Sequence, residues 1–173
     1  MLANGFKELL NIGIALSSVH DLDKLLDMIL SEAQKLTSAD SGSIYLAEGD
    51  KLIFKTSRSN TYFKRWGEKK TREIFKSFEM PITKQSIAGY VALTCQPLNI
   101  PDVQSIPQDS EFHYNPTLDK KYDYKTVSML VIPMLNRDEK IIGVLQLINS
   151  LSDGKIVAFT DEHEKITTSF SSQ

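Results

Sequence analysis

The chain has 173 residues, of which 41% are hydrophobic and 24% charged, and its formal net charge at pH 7 is -2. This composition is typical of a globular protein, and the length suits one domain with its own core. Because the net charge is close to zero, we expect neither a nucleic acid nor a membrane surface as a partner.

Cys95 is the only cysteine. A single cysteine excludes an internal disulfide bond and a zinc site built from several cysteines. No apolar run is long enough to span a bilayer, and the N-terminus lacks the charged-then-apolar pattern of a signal peptide. We therefore expect a cytoplasmic protein, or the cytoplasmic part of a larger one.

Apolar residues at helical spacing predict a first helix over residues 2–17 and a second over 22–37. Residues 1–20 are expected to form a linker or dimerisation helix, followed by one domain over residues 21–173. The wide apolar stripe of the first helix fits packing on its own domain and packing against a second copy equally well. Asp21 is predicted to be the N-cap of the second helix.

Strand patterns follow. Alternating apolar residues predict a hairpin that begins at Ser41 and turns at residues 48–50. Residues 57–79 are expected to be a polar connection with a poorly defined helix. A short edge strand is predicted at 79–82, where proline is tolerated.

The middle of the chain predicts a helix and a lid. Ser86 is expected to cap a helix that runs to Thr94, and the prolines hold residues 97–101 extended. Residues 102–125 form a long, polar segment that contains several aromatic residues. A loop of this length in a compact domain is usually functional.

The C-terminal part predicts the centre of the sheet and a last helix. Residues 127–135 and 141–148 are nearly continuous apolar runs, typical of strands buried on both faces. Thr160 is expected to cap the last helix. The element order predicts an α+β fold, an antiparallel sheet with helices on one face and the lid on the other.

Three segments of the chain resemble GAF domains. They are IAGYV at 87–91, QPLNIPD at 96–102 and IGVLQLIN at 142–149. The resemblance extends over residues 22–170 and implies a GAF-like fold for the domain over 21–173, with a central six-stranded antiparallel sheet. It also implies a non-catalytic sensor that regulates an attached output domain, of the kind found in phosphodiesterases, cyclases, bacterial kinases and transcription activators.

The resemblance implies a small-molecule pocket between the sheet and the lid. The positions that match ligand contacts in the family are Ser43, Ile87, Ala88, Tyr114, Thr126 and Gln146. The backbone N–H groups of Ile87 and Ala88 suit an anion or a carbonyl. The alternative interpretation is that Ser43, Thr126 and Gln146 only satisfy one another and the backbone.

The chain departs from the pattern of GAF domains that bind cyclic nucleotides. Those domains carry an Asn–Lys pair whose lysine contacts a later acid, whereas here Asn149 is followed by Ser150. Gln146 stands where some members place an acidic residue that reads a purine. A cyclic nucleotide therefore remains one candidate ligand, with weakened support. Cys95 replaces a glycine that caps the preceding helix in the left-handed conformation.

Other functions receive less support. A haem sensor would need His113 as an axial ligand, but a single histidine on a polar loop is more often solvent-exposed. We expect no haem, bilin or metal, and we find no phosphate-binding loop, nucleophile elbow or catalytic triad. The alternative to a ligand sensor is a ligand-free dimerisation scaffold whose pocket is filled by Tyr114 or Trp66. In both cases a homodimer through the terminal helices is expected.

Overall fold

The structure, a computed structural model, describes residues 19–76 and 78–171, without the side chains of residues 19, 20, 170 and 171. Seven strands form one antiparallel sheet. They are β1 (Ala39–Glu48), β2 (Lys51–Ser59), β3 (Glu79–Pro81), β4 (Leu98–Ile100), β5 (Met129–Leu135), β6 (Ile141–Ser152) and β7 (Lys155–Val157).

Helices connect or flank these strands. They are α1 (Val19–Thr37), α2 (Asn60–Trp66), α3 (Glu68–Ile74), α4 (Ile87–Thr94), α5 (Thr117–Tyr122) and α6 (Asp161–Ser171), with a 3₁₀ turn at Val103–Ser105. The predicted helix over residues 2–17 lies outside the described residues. This α+β architecture, with helices on an antiparallel sheet, confirms the predicted fold class.

The six main strands follow the order β3-β2-β1-β6-β5-β4, and β7 pairs with the far end of β6. β1 and β6 therefore lie at the centre, where Ser43 is opposite Gln146. Ser43 is also opposite Ser57 of β2. Because paired residues project from the same face of a sheet, these three polar side chains form a row across three strands.

The two faces of the sheet carry different layers. On one face α1 and α6 cover a core that includes Leu30, Ile44 and Leu145. On the other face α4 and the lid cover Val131 and Val144. β5 and β6 thus place apolar residues on both faces, as their continuous apolar sequences predicted.

Two predicted N-caps are present, and the left-handed end of α4 at Cys95 keeps the conformation of the glycine that it replaces. Ser86 Oγ accepts a hydrogen bond from the Gly89 amide at 3.0 Å, at the start of α4. Thr160 Oγ1 accepts from the His163 amide at 3.1 Å, while the Thr160 amide donates to His163 Nδ1 at 3.2 Å. Burial lowers the pKa of His163, which favours the neutral ring that can accept this bond. Cys95 ends α4 in the left-handed conformation, with φ 53°.

The start of α1 corrects one prediction. Val19 and His20 are already helical, so Asp21 lies in the first turn and is not the N-cap. A carboxylate in the first turn is also favourable for the helix dipole, which explains why the sequence suggested a helix start here.

The other differences are elements that the sequence did not resolve. The connection over 57–79 is the end of β2 and the helices α2 and α3, separated at Gly67, whose φ is 84°. The lid contains the helix α5. β6 continues beyond residue 148 and turns at Asp153–Gly154, both with positive φ, into β7. An Asp–Gly pair is a strong hairpin signal, and it was present in the sequence.

Candidate functional site

A cavity of about 180 Å³ lies between the sheet and the lid. Its floor is formed by β1, β2 and β6 with Met129 of β5, and its walls come from Tyr62 of α2, from Phe75 and Phe78 after α3, and from the lid around α5. The polar and aromatic lining residues central to its chemistry are Ser43, Ser57, Gln146, Tyr62, Phe75, Phe78, Tyr114, Asp119, Tyr124 and Thr126.

Four of the six predicted ligand contacts line this cavity: Ser43, Tyr114, Thr126 and Gln146. The other two, Ile87 and Ala88, are not in its lining. They are the first two residues of α4, and they belong to the apolar cluster between this helix and the sheet, where they are 6% and 4% exposed. The structure thus brings four of the predicted residues together around the cavity. The start of α4 lies outside the cavity lining.

Asp119 joins the middle of the lid, at Tyr114, to Thr126, the residue that follows the lid. Its carboxylate accepts hydrogen bonds from the Thr126 amide at 2.8 Å and from Thr126 Oγ1 at 3.0 Å. The hydroxyl of Tyr114 donates to the same carboxylate. Burial, with this bond to Asp119, raises the pKa of Tyr114. Thr126 is therefore satisfied within the protein, although by Asp119 and not by Ser43 or Gln146.

A second polar cluster joins the lid to β1. Asp40 Oδ2 accepts from Tyr124 OH and from Thr61 Oγ1, each at 2.8 Å, and from Ser41 Oγ at 3.1 Å. Burial is the main reason that the pKa of Tyr124 is raised. The phenol therefore remains a proton donor at neutral pH, and the buried carboxylate is bound by three hydroxyl groups.

Asn149 supports the end of the lid with its whole amide group. Its Oδ1 accepts from the amides of Val127 and Ser128 at 2.8 and 3.2 Å. Its Nδ2 donates to the Lys125 carbonyl at 2.8 Å and to Tyr124 OH at 3.1 Å. All four hydrogen-bonding positions of this side chain are thus used.

Ser150 stands where the pattern of cyclic-nucleotide-binding members has a lysine. Its side chain is buried, and Oγ donates to the Thr37 carbonyl at the end of α1 at 2.8 Å. The acids that follow Phe159, at the start of α6, are exposed. The side chain of Ser150 thus makes a neutral hydrogen bond to the end of α1.

An aromatic cluster fastens α5 to α2 and α3. Tyr62 stacks on Trp66 at a centroid distance of 5.0 Å and on Phe75 at 5.2 Å, and Tyr122 meets Trp66 edge-on at 5.9 Å. Burial is the main cause that raises the pKa of Tyr62 to about 12. Arg65 Nη1 and Nη2 donate to the carbonyls of Tyr122 and of the next residue at 2.6 and 3.1 Å. The sequence shows the aromatic residues on both segments, but not that the segments meet.

Trp66 packs in this cluster and does not line the cavity, whereas Tyr114 does. His113 is exposed, and Cys95 is partly buried, with Sγ 3.7 Å from the Ala92 carbonyl.

No group of three histidine, cysteine or acidic side chains that could hold a metal ion occurs among the described residues. In the same part of the chain, no helix has the length and apolar character to cross a bilayer.

The sequence model of the GAF domain matches residues 21–173. The chain belongs to the GAF domain family. Among curated proteins, it is 34% identical over 147 residues to the dual 3',5'-cyclic-AMP and -GMP phosphodiesterase 11A of Takifugu rubripes. It is also 34% identical over 149 residues to the cGMP-specific 3',5'-cyclic phosphodiesterase of Drosophila erecta.

These matches cover 84% and 83% of this GAF domain chain, but only 15% and 13% of the two phosphodiesterases. The chain thus spans a small part of the curated relatives that it matches. Among solved structures, the GAF domain of a phosphoenolpyruvate-protein phosphotransferase from Coxiella burnetii matches with a TM-score of 0.65. That match has 14% sequence identity and covers 98% of this chain and 88% of that one, so it supports the fold alone.

Proposed function

We propose that this GAF domain is a non-catalytic sensor that binds a small molecule between sheet and lid and regulates an attached output domain. The observation that carries the proposal is the polar floor of the cavity. The amide of Gln146 and the hydroxyl of Ser57 line it, and neither has a protein partner among the described residues. Polar groups in a mostly apolar pocket are typical of ligand sites.

The hydrogen bonds around the lid supply a route for the signal. Tyr124 of the lid contacts Asp40, and the carbonyl of Asp40 accepts a hydrogen bond from Gln34 Nε2 of α1 at 2.8 Å. A ligand that binds more tightly when the lid is closed would favour one arrangement of these contacts and so of α1. We further propose that the output domain lies outside this chain, that two copies associate through their terminal helices, and that the protein is cytoplasmic.

The second candidate function is a ligand-free dimerisation scaffold. The size of the cavity favours it, because about 180 Å³ is below the roughly 300–1,000 Å³ of pockets for drug-sized ligands. In this case the lid contacts would only stabilise the domain.

Native mass spectrometry of protein purified from cells, compared with the same sample denatured, tests the two candidates. A mass that is lost on denaturation supports the sensor. Gln146→Leu should reduce that mass, whereas the exposed Gln104→Leu should not. A sample without added mass, with no change of melting temperature in metabolite screens, would favour the scaffold, since a ligand of the native state raises its stability. The same spectra report monomer or dimer.

A further inference from the structure

We infer that the cavity is built for a compact, uncharged, planar heterocycle and discriminates against anionic ligands, phosphate esters included. This inference rests on the proposed sensor function and names the class of ligand. Four properties of the cavity carry it: the row of polar groups on the sheet, the aromatic lining, the charges and the volume.

The polar row consists of Ser57, Ser43 and Gln146, which are neighbours on β2, β1 and β6. Strands lie about 4.8 Å apart, so the row is about 10 Å long and nearly straight. The hydroxyl of Ser57 and the amide of Gln146, which is both a donor and an acceptor, are available to a ligand, while the Ser43 hydroxyl between them hydrogen-bonds Tyr45. Such a row matches the edge of a heterocycle that carries alternating donors and acceptors.

Aromatic rings supply flat apolar surface beside this row. Phe54 and Phe78 are stacked at a centroid distance of 5.0 Å, with Tyr45 edge-on to both, and Tyr62 is stacked on Phe75. All five residues line the cavity. Planar rings pack well on such surfaces, both by area and by ring geometry.

The cavity offers no free positive charge within the part of the chain that the structure describes. Its charged lining residues are Arg58 and Asp119. The guanidinium of Arg58 is bound to Asp27 of α1, at 3.3 and 3.5 Å, and α1 covers the opposite face of the sheet. The Asp119 carboxylate is bound to Thr126 and Tyr114 and would repel an anion. A desolvated anion would therefore lack compensation.

The volume of the cavity also favours a small ring without a sugar or a phosphate. A cavity of about 150 Å³ is known to hold benzene, so the 180 Å³ here suits a ring of one or two cycles. A sugar and a phosphate would require the lid to move. That movement would break contacts of Asp119 or Tyr124, whose hydrogen bonds close the lid.

Matched pairs of probes test a negative charge on the ring alone, and then charge and size together. Uracil with orotate, and nicotinamide with nicotinate, keep the ring and add a negative charge, while adenine with 3',5'-cyclic AMP adds both size and charge. Titration calorimetry should show that at least one neutral heterocycle binds at least tenfold more tightly than its anionic partner. Gln146→Leu should weaken that binding at least tenfold, because the ligand edge loses its amide partner. Gln104→Leu should leave it unchanged.

Three results would overturn the inference. They are binding of the anionic partner as tight as that of the neutral one, binding that Gln146→Leu does not affect, and the absence of binding by every neutral probe. If neutral probes fail while the native spectrum still shows a bound molecule, the class of ligand is wrong and the sensor function stands. If both fail, the sensor function fails as well. Thermal unfolding of both glutamine variants, with similar melting temperatures, checks that each is folded.

Discussion

The hydroxyl of Tyr124 lies 2.8 Å from Oδ2 of Asp40 and donates a hydrogen bond to it. This bond joins the end of the lid to the beginning of β1, next to the end of α1. Asn149 Nδ2 donates to the same hydroxyl at 3.1 Å, which orients the phenol. Tyr124 thus contacts the two central strands β1 and β6, and Asp40 in turn accepts a hydrogen bond from Gln34 of α1.

Tyr124→Phe should destabilise the domain by about 1.5–3 kcal/mol, because it removes a hydrogen bond to a carboxylate that stays buried. Urea denaturation measures this as a lower midpoint at unchanged slope. Tyr122→Phe is the matched control, since its ring packs on Trp66 and Phe75 while its hydroxyl has no hydrogen-bond partner among the described residues. Equal effects of the two substitutions would contradict the role assigned to Tyr124.

The buried tyrosines predict loss of stability at alkaline pH. Burial raises the pKa of Tyr62 to about 12, and it raises those of Tyr45, Tyr114 and Tyr124 as well. In the unfolded chain these phenols lose their protons near pH 10. The unfolded state then binds fewer protons than the native state, so stability falls as the pH rises through about 10 to 12.

Below pH 9 these groups should cause no change of stability. Urea midpoints at pH 8, 9, 10 and 11 would show the decline, and Tyr124→Phe should have a shallower one. Parallel curves for the two proteins would show that Tyr124 does not contribute to the alkaline loss.

Asn149 combines a left-handed backbone, with φ 59°, and four hydrogen bonds from its side chain. Asn149→Ala should therefore cost about 3 kcal/mol or more, since the amides of Val127 and Ser128, just after the lid, lose their acceptor. Asn149→Gly loses the same bonds but relieves the backbone, so it should be about 1 kcal/mol less harmful. If the alanine variant were the more stable of the two, the left-handed conformation would carry no cost here.

The left-handed backbone of Cys95 predicts that replacing this residue by glycine stabilises the domain. It has φ 53° at the end of α4, where a residue with a Cβ is strained. Cys95→Gly should raise stability by about 1 kcal/mol, measured by urea denaturation. Cys95→Ala keeps the strain and should give no gain. A gain in the alanine variant would show that the thiol, and not the backbone, is unfavourable.

The sequence predicted the parts of the fold that local patterns specify. The apolar runs of β5 and β6 and the caps at Ser86 and Thr160 depend on neighbouring residues only, and they are present. α5 has six residues, and a helix this short is not stable by itself. It is held by Asp119 and by Arg65 of α2, contacts that no local pattern displays.

The candidate site depends on register in the same way. A bulge in β2, where Lys55 is the extra residue opposite the step from Ile44 to Tyr45 of β1, changes which residues of β2 face the lid, and it places Phe54 and Ser57 on the same face. Strict alternation would put residues 54 and 57 on opposite faces. The resemblance to the family named four residues that line the cavity, Ser43, Tyr114, Thr126 and Gln146, while Ser57 and the other aromatic walls became visible only in the structure.

Asp119→Asn should loosen the lid without unfolding the sheet. The amide is neutral, so the hydrogen bonds from Tyr114 and from the Thr126 amide lose their charged acceptor, and Thr126 Oγ1 must turn round to accept from the amide nitrogen. At about 1.5 kcal/mol for a bond to a carboxylate, amide hydrogen exchange of residues 114–126 should accelerate about tenfold. Exchange in the central parts of β5 and β6 should stay slow. Asp123→Asn is the control, because that exposed side chain has no hydrogen-bond partner among the described residues. Acceleration over the whole sheet would mean that Asp119 stabilises the domain as a unit and does not close the lid.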